Sequence, residues 1–194
     1  MIKPNIAVGV SGASGALYTQ VLIKKLLAIH DQWHSLRVVF TSSAEFVWKE
    51  ELSETPRFTD KIIIDDNSDF RSPLASGSGG IDKMIVCPCS MGMLGRIANG
   101  ISNDLISRGA DVMLKERRQL ILVTRETPLS NIHIENMYKV SKSGGVIYPA
   151  SPSFYSGQIT MEDLVDNFVN RLLDFSGFNV GLDRWCQEVQ SSIN

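Results

Sequence analysis

The stretch from residue 5 to residue 16, NIAVGVSGASGA, constrains the fold of this chain more than any other. Its first half is apolar and rich in β-branched residues, which is typical of a buried strand. Its second half is small and polar, and apolar residues follow at helical spacing. A strand, a glycine-rich turn and a helix in that order present N–H groups at the positive end of the helix dipole. This arrangement predicts an anion site over residues 12–15.

The glycines of this stretch are spaced G-x-x-G-x-x-G. That spacing matches neither the dinucleotide-binding G-x-G-x-x-G motif nor a Walker loop, so a tight turn without a ligand stays open as an alternative. Gly12, Ser14 and Gly15 would let a phosphate approach the backbone, and the hydroxyls of Ser11 and Ser14 add donors. The ligand cannot be identified from the turn alone.

With 194 residues, 43% of them hydrophobic, the chain is long enough for one globular domain with a sizeable core. The net charge is −2 and no run of Lys or Arg occurs, so nucleic-acid binding is not expected. No apolar stretch approaches the ~20 residues that span a bilayer, and no signal peptide is recognisable. We therefore expect a cytoplasmic protein that does not enter a membrane.

The three cysteines, Cys87, Cys89 and Cys186, are an odd number, which argues against a disulfide framework. No histidine lies near them in the sequence, and a second C-x-x-C motif is missing, so a zinc site is not expected either. We predict buried free thiols and no metal site.

Strand-like and helix-like segments alternate along the rest of the chain. Further strands are predicted at residues 36–41, 61–64, 83–87, 119–124 and 146–148, and helices at residues 43–52, 91–98, 103–115, 132–140 and 161–173. This alternation indicates an α/β fold, a parallel sheet with helices on both faces. The Asp-, Ser- and Gly-rich residues 65–80 predict a flexible surface loop, a linker or a lid.

Polar residues follow four of the predicted strands, at residues 11–15, 41–43, 90–93 and 125–126. Ligands of such folds bind at the carboxyl ends of the strands, so these residues are expected to converge on one crevice. The crevice could hold a flavin phosphate, a nucleotide or a sugar phosphate.

Several longer motifs make the prediction more specific. They are VSGASGA at residues 10–16, CPCS at 87–90, ADVMLKERR at 110–118, RETP at 125–128, HIENM at 133–137, and the segment 149–155. In this order, from Ile6 to about Trp185, they resemble the UbiX-type flavin prenyltransferases. The resemblance implies a single flavoprotein domain over residues 1–194 with a flavodoxin-like (Rossmann-like) three-layer sandwich. It also implies a homododecamer with active sites between subunits, and a tail from about residue 178 that packs on a neighbour.

The activity that the resemblance implies is the synthesis of a cofactor. Dimethylallyl phosphate alkylates reduced FMN at N5, a fourth ring closes through C6, and phosphate is released. The prenylated FMN then serves UbiD-type decarboxylases, for example in ubiquinone biosynthesis. Two alternatives stay open: an FMN-dependent decarboxylase of the same fold group, which acts on peptidyl cysteines, and a non-catalytic FMN-binding accessory subunit. A diphosphate donor also stays open.

The resemblance assigns roles residue by residue. The predicted FMN-binding positions are Gly12, Ala13, Ser14, Thr41, Ser90, Met91, Gly92, Met93, Arg108 and Arg125. The predicted substrate-binding positions are Lys115, Arg125, Glu126, Tyr155, Arg171 and Phe70, and the predicted catalytic residues are Glu126, Glu51, Ser14 and Lys115. Glu50 lies beside Glu51 and is an alternative for the same acid. Phe70 stands where the family often has Trp.

The chemistry of prenyl transfer fits these residue types. Breaking an allylic C–O bond requires a site that binds a phosphate and shelters a cation. Lys115, Arg125 and Arg171 suit the phosphate, Glu126 could deliver a proton to it, and Phe70 offers a π-face. Plainer interpretations exist as well, because Lys115 ends a helix, where a basic residue offsets the dipole, and Arg125 and Glu126 could form a simple ion pair.

Overall fold

The computed structural model describes residues 2–56, 58–154 and 160–181. The chain divides into two compact units, Met1–Ser151 and Pro152–Asn194. The first unit contains the sheet and the predicted crevice. The second contains one long helix. The single domain over residues 1–194 stays a prediction.

The first unit is built on a six-stranded sheet in the order β3-β2-β1-β4-β5-β6, in which every neighbouring pair is parallel. Its strands are β1 (Asn5–Val10), β2 (Ser35–Phe40), β3 (Ile62–Asp66), β4 (Lys83–Cys89), β5 (Gln119–Thr124) and β6 (Val146–Ile147). Its helices are α1 (Ala16–Ala28), α2 (Ser42–Leu52), α3 (Met91–Ala98), α4 (Leu105–Lys115) and α5 (Asn131–Lys142). The predicted α/β, flavodoxin-like fold is confirmed.

Helices cover both faces of the sheet because right-handed crossovers run in opposite directions from its centre. On one face, Ala7 and Met84 form a fully buried cluster with residues of α3 and α4, such as Ile106. On the other face, Thr19 of α1 donates its hydroxyl to the Cys87 carbonyl at 2.6 Å. The strand interiors are apolar on both sides, as expected for a parallel sheet.

The segment between β3 and β4, predicted as a loop, linker or lid, is packed along α4. Asn67 accepts hydrogen bonds from the first turn of α4, and Arg118, just beyond its end, donates to the Gly77 carbonyl at 2.8 Å. Between these points Leu74 is 1% exposed and lies against Gly109, where a Cβ would come within 2.7 Å of its side chain. One buried leucine and one helical glycine thus fix a segment whose composition resembles a loop.

Side-chain caps determine where the helices of the crevice begin. Thr41 accepts a hydrogen bond from the Ala44 N–H and so caps α2. Ser90 caps α3, and Asp104 caps α4 with a reciprocal bond to Ser107. The predicted start of α4 near residue 103 shifts to Leu105 because Asp104 holds the cap position.

The second unit contains α6 (Met161–Phe175), which Thr160 caps. Its buried stripe comprises Val165, Phe168, Val169, Leu172 and Leu173, at the spacing of an amphipathic helix. Phe178 is buried and its N–H donates to the Leu173 carbonyl, so the chain turns back on α6 at this point. The predicted C-terminal tail lies largely outside the described residues. Among the described residues, no helix is long and apolar enough to cross a membrane.

Candidate active site

The glycine-rich turn after β1 is closed by a carboxylate of the chain itself. Glu51, in the last turn of α2, accepts the Gly15 N–H at 2.9 Å and the Ala16 N–H at 2.7 Å. The Ser14 hydroxyl donates to the same carboxylate. The helix N-terminus is therefore engaged by an internal anion, and the N–H of Gly15, expected to be free for a phosphate, is not free. Glu51 and not its neighbour Glu50 faces the turn.

The pKa of the Glu51 carboxyl reports this environment. Partial burial raises the pKa, but the hydrogen bonds from Ser14, Gly15 and Ala16 and the positive charge of Arg125 lower it more. The net result is a pKa below the ordinary value of 4.5. Glu51 is therefore a carboxylate at neutral pH, within electrostatic reach of Arg125.

Gly12 lies in the turn, in close contact with Ser43 at the start of α2. A Cβ at this position would overlap the side chain of Ser43, whose hydroxyl lies 3.0 Å from that of Thr41. Any side chain at position 12 would displace Ser43. Ser43 belongs to the strand-end residues 41–43 that were expected to line the crevice, and its contact with Gly12 places it there.

Ser11 does not serve as a ligand donor, contrary to expectation. It is 2% exposed, its hydroxyl donates to the Pro88 carbonyl at 3.0 Å, and it accepts the Ser90 N–H at 2.8 Å. These bonds join the end of β1 to the end of β4. Ser11 therefore positions the turn and the start of α3 relative to each other.

The start of α3 supplies the second wall of the crevice. Ser90 accepts the Met93 N–H, and Gly92 is exposed with nothing within 4 Å of a Cβ added there. Met93 is fully buried and Met91 is 9% exposed. A ligand would therefore meet mainly the backbone at Met91 and Gly92, and the Met93 side chain belongs to the core.

Arg125 and Glu126 follow β5 at the same edge of the sheet, and both are exposed. The Arg125 N–H donates to the Cys89 carbonyl at 3.4 Å, which links the end of β5 to the end of β4. Glu126 accepts the N–H of Thr127 at 3.0 Å. Three of the predicted residues, Ser14, Glu51 and Arg125, are thus brought together.

Tyr18, one turn into α1, is a residue that the sequence analysis missed. Burial is the main cause that raises the pKa of its phenol, Cys87 adds to the effect, and Arg125 opposes it. Tyr18 therefore lies near Arg125 and stays neutral at physiological pH. Burial also raises the pKa of the Cys87 thiol to about 12, so this thiol is not a nucleophile at neutral pH.

Phe70 lies in the segment between β3 and β4, and Arg108 lies near the start of α4. Phe70 is 47% exposed. Arg108 donates to the Ala75 carbonyl at 3.0 Å and pairs with Asp111 at 2.9 Å. The Arg108 guanidinium is thus used largely to hold the segment before β4 against α4.

Lys115 lies at the opposite edge of the sheet from Arg125. It ends α4, and Arg118 nearby donates to the carbonyls of Gly77 and Ile81, which precede β4. The six residues of β5 separate the two edges by about 20 Å, which is longer than any lysine side chain. Within one chain, Lys115 and Arg125 therefore begin from opposite edges of the sheet.

Two predicted substrate-binding residues belong to the second unit. Tyr155 lies outside the described residues. Arg171 is exposed and pairs with Asp174, three residues along α6, at 2.7 Å. Its assignment to the prenyl phosphate stays a prediction.

The crevice is lined by the turn at Gly12, the exposed start of α3 at Gly92 and the cation of Arg125. The charge of Arg125 suits an anionic group of a ligand. Among the described residues, no group of three or more His, Cys, Asp or Glu could hold a metal ion.

Comparisons with known proteins identify the class. The family model described as Flavoprotein matches residues 1–173, so fold and crevice are those of a flavoprotein. The flavin prenyltransferase UbiX of Methanocaldococcus jannaschii is 41% identical over 183 residues, which cover 93% of this chain and 97% of the relative. The chain belongs to the family of UbiX-type flavin prenyltransferases, and the family predicted from the motifs is confirmed.

Solved structures agree with this assignment. A structure of AnUbiX in complex with FMN and dimethylallyl pyrophosphate superposes with a TM-score of 0.87 at 42% identity, covering 94% of this chain and 97% of that chain. A dodecameric FMN-dependent UbiX-like decarboxylase from Escherichia coli O157:H7 has a TM-score of 0.84 at 35% identity, covering 93% and 98%.

Replacing Gly12 by Leu is expected to abolish the retention of FMN, because the new side chain fills the space above the turn. The flavin content of the purified protein, read by absorbance, checks this. The double variant Gly12→Leu/Ser43→Gly removes the overlap with Ser43 and should still lack flavin. Full flavin occupancy in Gly12→Leu would contradict this placement, and recovery in the double variant would assign the loss to strain.

Glu51→Gln is expected to flatten the pH dependence of stability. A folded-state pKa below 4.5 means that the charged carboxylate stabilises the fold above that pH, and that this stabilisation is lost as the pH falls through the folded pKa. Urea unfolding between about pH 5 and about pH 3 should therefore show a smaller drop for Glu51→Gln than for the wild type. The exposed neighbour provides the control, since Glu50→Gln should follow the wild-type curve. Equal drops for all three proteins would contradict the prediction.

Proposed function

We propose that this protein is a flavin prenyltransferase that transfers a dimethylallyl group from dimethylallyl phosphate to reduced FMN, first at N5 and then at C6, with release of phosphate. The observation that carries the proposal is the convergence of Ser14, Glu51 and Arg125 at the carboxyl edge of the sheet. The 41% identity to a UbiX flavin prenyltransferase supports it. The prenylated FMN would then pass to a UbiD-type decarboxylase.

The carboxyl edge offers the contacts that FMN needs. Gly12 leaves room above the turn, Thr41 and Ser90 hold the starts of α2 and α3, and Gly92 keeps the backbone of α3 accessible. When bound and reduced, FMN supplies the nucleophilic nitrogen. The role of the protein is to hold the donor over it, exclude water and manage the charge of the leaving group.

The leaving group requires both cations and a proton. Arg125 lies at the edge where the phosphate would bind, and an arginine can bind a phosphate through two parallel hydrogen bonds. Glu126 is next to it in the chain and exposed, so it could protonate the departing phosphate. Glu51 and Ser14, which are hydrogen-bonded to each other, lie on the other side of the turn and could move a proton there. The ring of Phe70 and the electron-rich flavin would stabilise the allylic cation.

The position of Lys115 implies that a complete active site requires two chains of the oligomer. Its charge is at the amino edge of the sheet, and β5, about 20 Å long, lies between that edge and Arg125 of the same chain. A site that uses both residues must therefore combine two chains, with Lys115 of one subunit beside Arg125 of another. This requirement supports the predicted homo-oligomer with active sites between subunits. The dodecameric relative from Escherichia coli O157:H7 is consistent with it.

The direct test of the proposal is single-turnover formation of the prenylated flavin, followed by flavin mass and absorbance. Dimethylallyl phosphate added to the anaerobic, reduced FMN complex should raise the mass of the extracted flavin. An unchanged flavin would favour an accessory subunit that only binds FMN.

In Glu126→Gln the rate of prenylated-flavin formation should fall by about 10²–10⁴-fold with FMN still bound, because an amide cannot transfer a proton.

Glu135→Gln, an exposed change on α5, is the matched control for Glu126→Gln and should react at the wild-type rate. A wild-type rate in Glu126→Gln would make Glu126 no more than an ion-pair partner.

Complementation between two inactive variants tests the shared site. Lys115→Gln and Glu126→Gln should each be impaired alone, whereas co-expression should restore activity in mixed oligomers. Random mixing leaves both native residues in roughly a quarter of sites when each site draws them from different chains. If co-expressed variants show no more activity than the sum of the single variants, Lys115 and Glu126 do not act together from different chains.

A further inference from the structure

The end of α4 carries an ion pair formed by two adjacent residues of the same chain. The Lys115 ammonium donates to the carboxylate of Glu116. This hydrogen bond and the positive charges of Lys115 and Arg118 hold the pKa of the Glu116 carboxyl below its ordinary value of 4.5. Glu116 is therefore a carboxylate at neutral pH, and it neutralises the cation that the proposed function assigns to the prenyl phosphate.

Glu116 lies against the segment that precedes β4. A Cβ added at Gly77 would lie 2.7 Å from Glu116 Cδ and 3.1 Å from Lys115 Nζ, so a side chain at position 77 would push the carboxylate aside. Arg118 holds the same segment, because its guanidinium donates to the carbonyls of Gly77 at 2.8 Å and Ile81 at 3.0 Å. The ion pair therefore lies against backbone that is itself hydrogen-bonded to the residues after α4.

The plain alternative is a surface ion pair with no further role. The side chains of Lys115 and Glu116 are 47% and 35% exposed, and pairs this exposed contribute little to stability. That account does not explain why a glycine and the two hydrogen bonds of Arg118 provide a place for the carboxylate. A weak pair does suit a counter-ion that is exchanged, because a phosphate dianion can replace a single weakly held carboxylate.

The site that the proposed function builds between chains gives such a counter-ion a physical reason. There Lys115 of one chain approaches Arg125 of another, and the two cations repel each other when no phosphate lies between them. A carboxylate paired with Lys115 offsets this repulsion while the site is empty.

We propose that Glu116, held against Gly77, is a positioning residue that acts as the counter-ion of Lys115 in the empty site and releases Lys115 to the phosphate of the donor. After prenyl transfer the carboxylate pairs with Lys115 again and the phosphate departs. Glu116 thus sets the affinity of the enzyme for the donor and for the released phosphate. This inference rests on the proposed function and names a residue that regulates its phosphate site.

Inorganic phosphate, titrated by calorimetry at low salt into the assembled, FMN-bound enzyme, tests the exchange. Glu116→Gln keeps the shape of the side chain but removes its charge, so it should bind phosphate about fivefold more tightly than the wild type. In the Lys115→Gln background the same change should have little effect, because the counter-ion acts through Lys115. Glu135→Gln removes an equal charge from the exposed face of α5 and is the control, expected to match the wild type.

Two further measurements separate a counter-ion from a purely structural ion pair. In Glu116→Gln the KM for dimethylallyl phosphate and the inhibition constant of inorganic phosphate should fall together, with kcat no higher than in the wild type. A structural pair would give the opposite result, because loosening the end of α4 would raise both constants. Gly77→Ala, which displaces the carboxylate but keeps its charge, should also tighten phosphate binding.

Unchanged or weaker phosphate binding in Glu116→Gln, or equal tightening with and without Lys115, would overturn the proposal. Wild-type affinity in Gly77→Ala would overturn the part assigned to Gly77. If the wild type binds phosphate but prenylates no FMN, the proposed function fails. A tightening in Glu116→Gln that depends on Lys115 would then still support the counter-ion.

Discussion

The contact between the Glu51 carboxylate and the start of α1 determines the geometry of the crevice. It joins the last turn of α2 to the turn after β1, engages the N–H groups of Gly15 and Ala16, and orients the hydroxyl of Ser14. A carboxylate at a helix N-terminus is stabilised by the dipole and by direct hydrogen bonds. Because the charge of Arg125 also reaches Glu51, the same contact relates the turn to the end of β5.

Whereas Glu51 joins elements of the crevice, the length of β5 separates two groups that the proposed prenyl transfer would use. Arg125 lies beyond the carboxyl end of this strand, and Lys115 lies before its amino end. A parallel sheet always places the two ends of a strand at opposite edges, so no side-chain movement brings them together. In the proposed function, the two cations that would bind phosphate thus lie at opposite edges of the subunit, and the complete site would need a second chain.

Local sequence patterns were sufficient for most of the fold. The six strands and the helices that follow them were all predicted, because periodicity and glycines act over a few residues. The segment from Asp65 to Gly80 was predicted as a loop from its composition, but its packing was not predicted. Its place against α4 depends on the long-range contact between Leu74 and Gly109. Tyr18 was missed for the same reason: only the folded chain brings it to the crevice.

The sequence by itself determined the family and the parallel sheet. It also determined the edge at which the turn, the start of α3 and Arg125 meet, because local sequence sets where each strand ends and the parallel topology aligns these ends. Only the tertiary structure decided that Glu51 and not Glu50 faces the turn, that Ser11 joins two strands, and that Lys115 faces away from Arg125. Those outcomes depend on helix rotation and on the direction of α4 across the sheet. Both are set by packing between residues far apart in the chain.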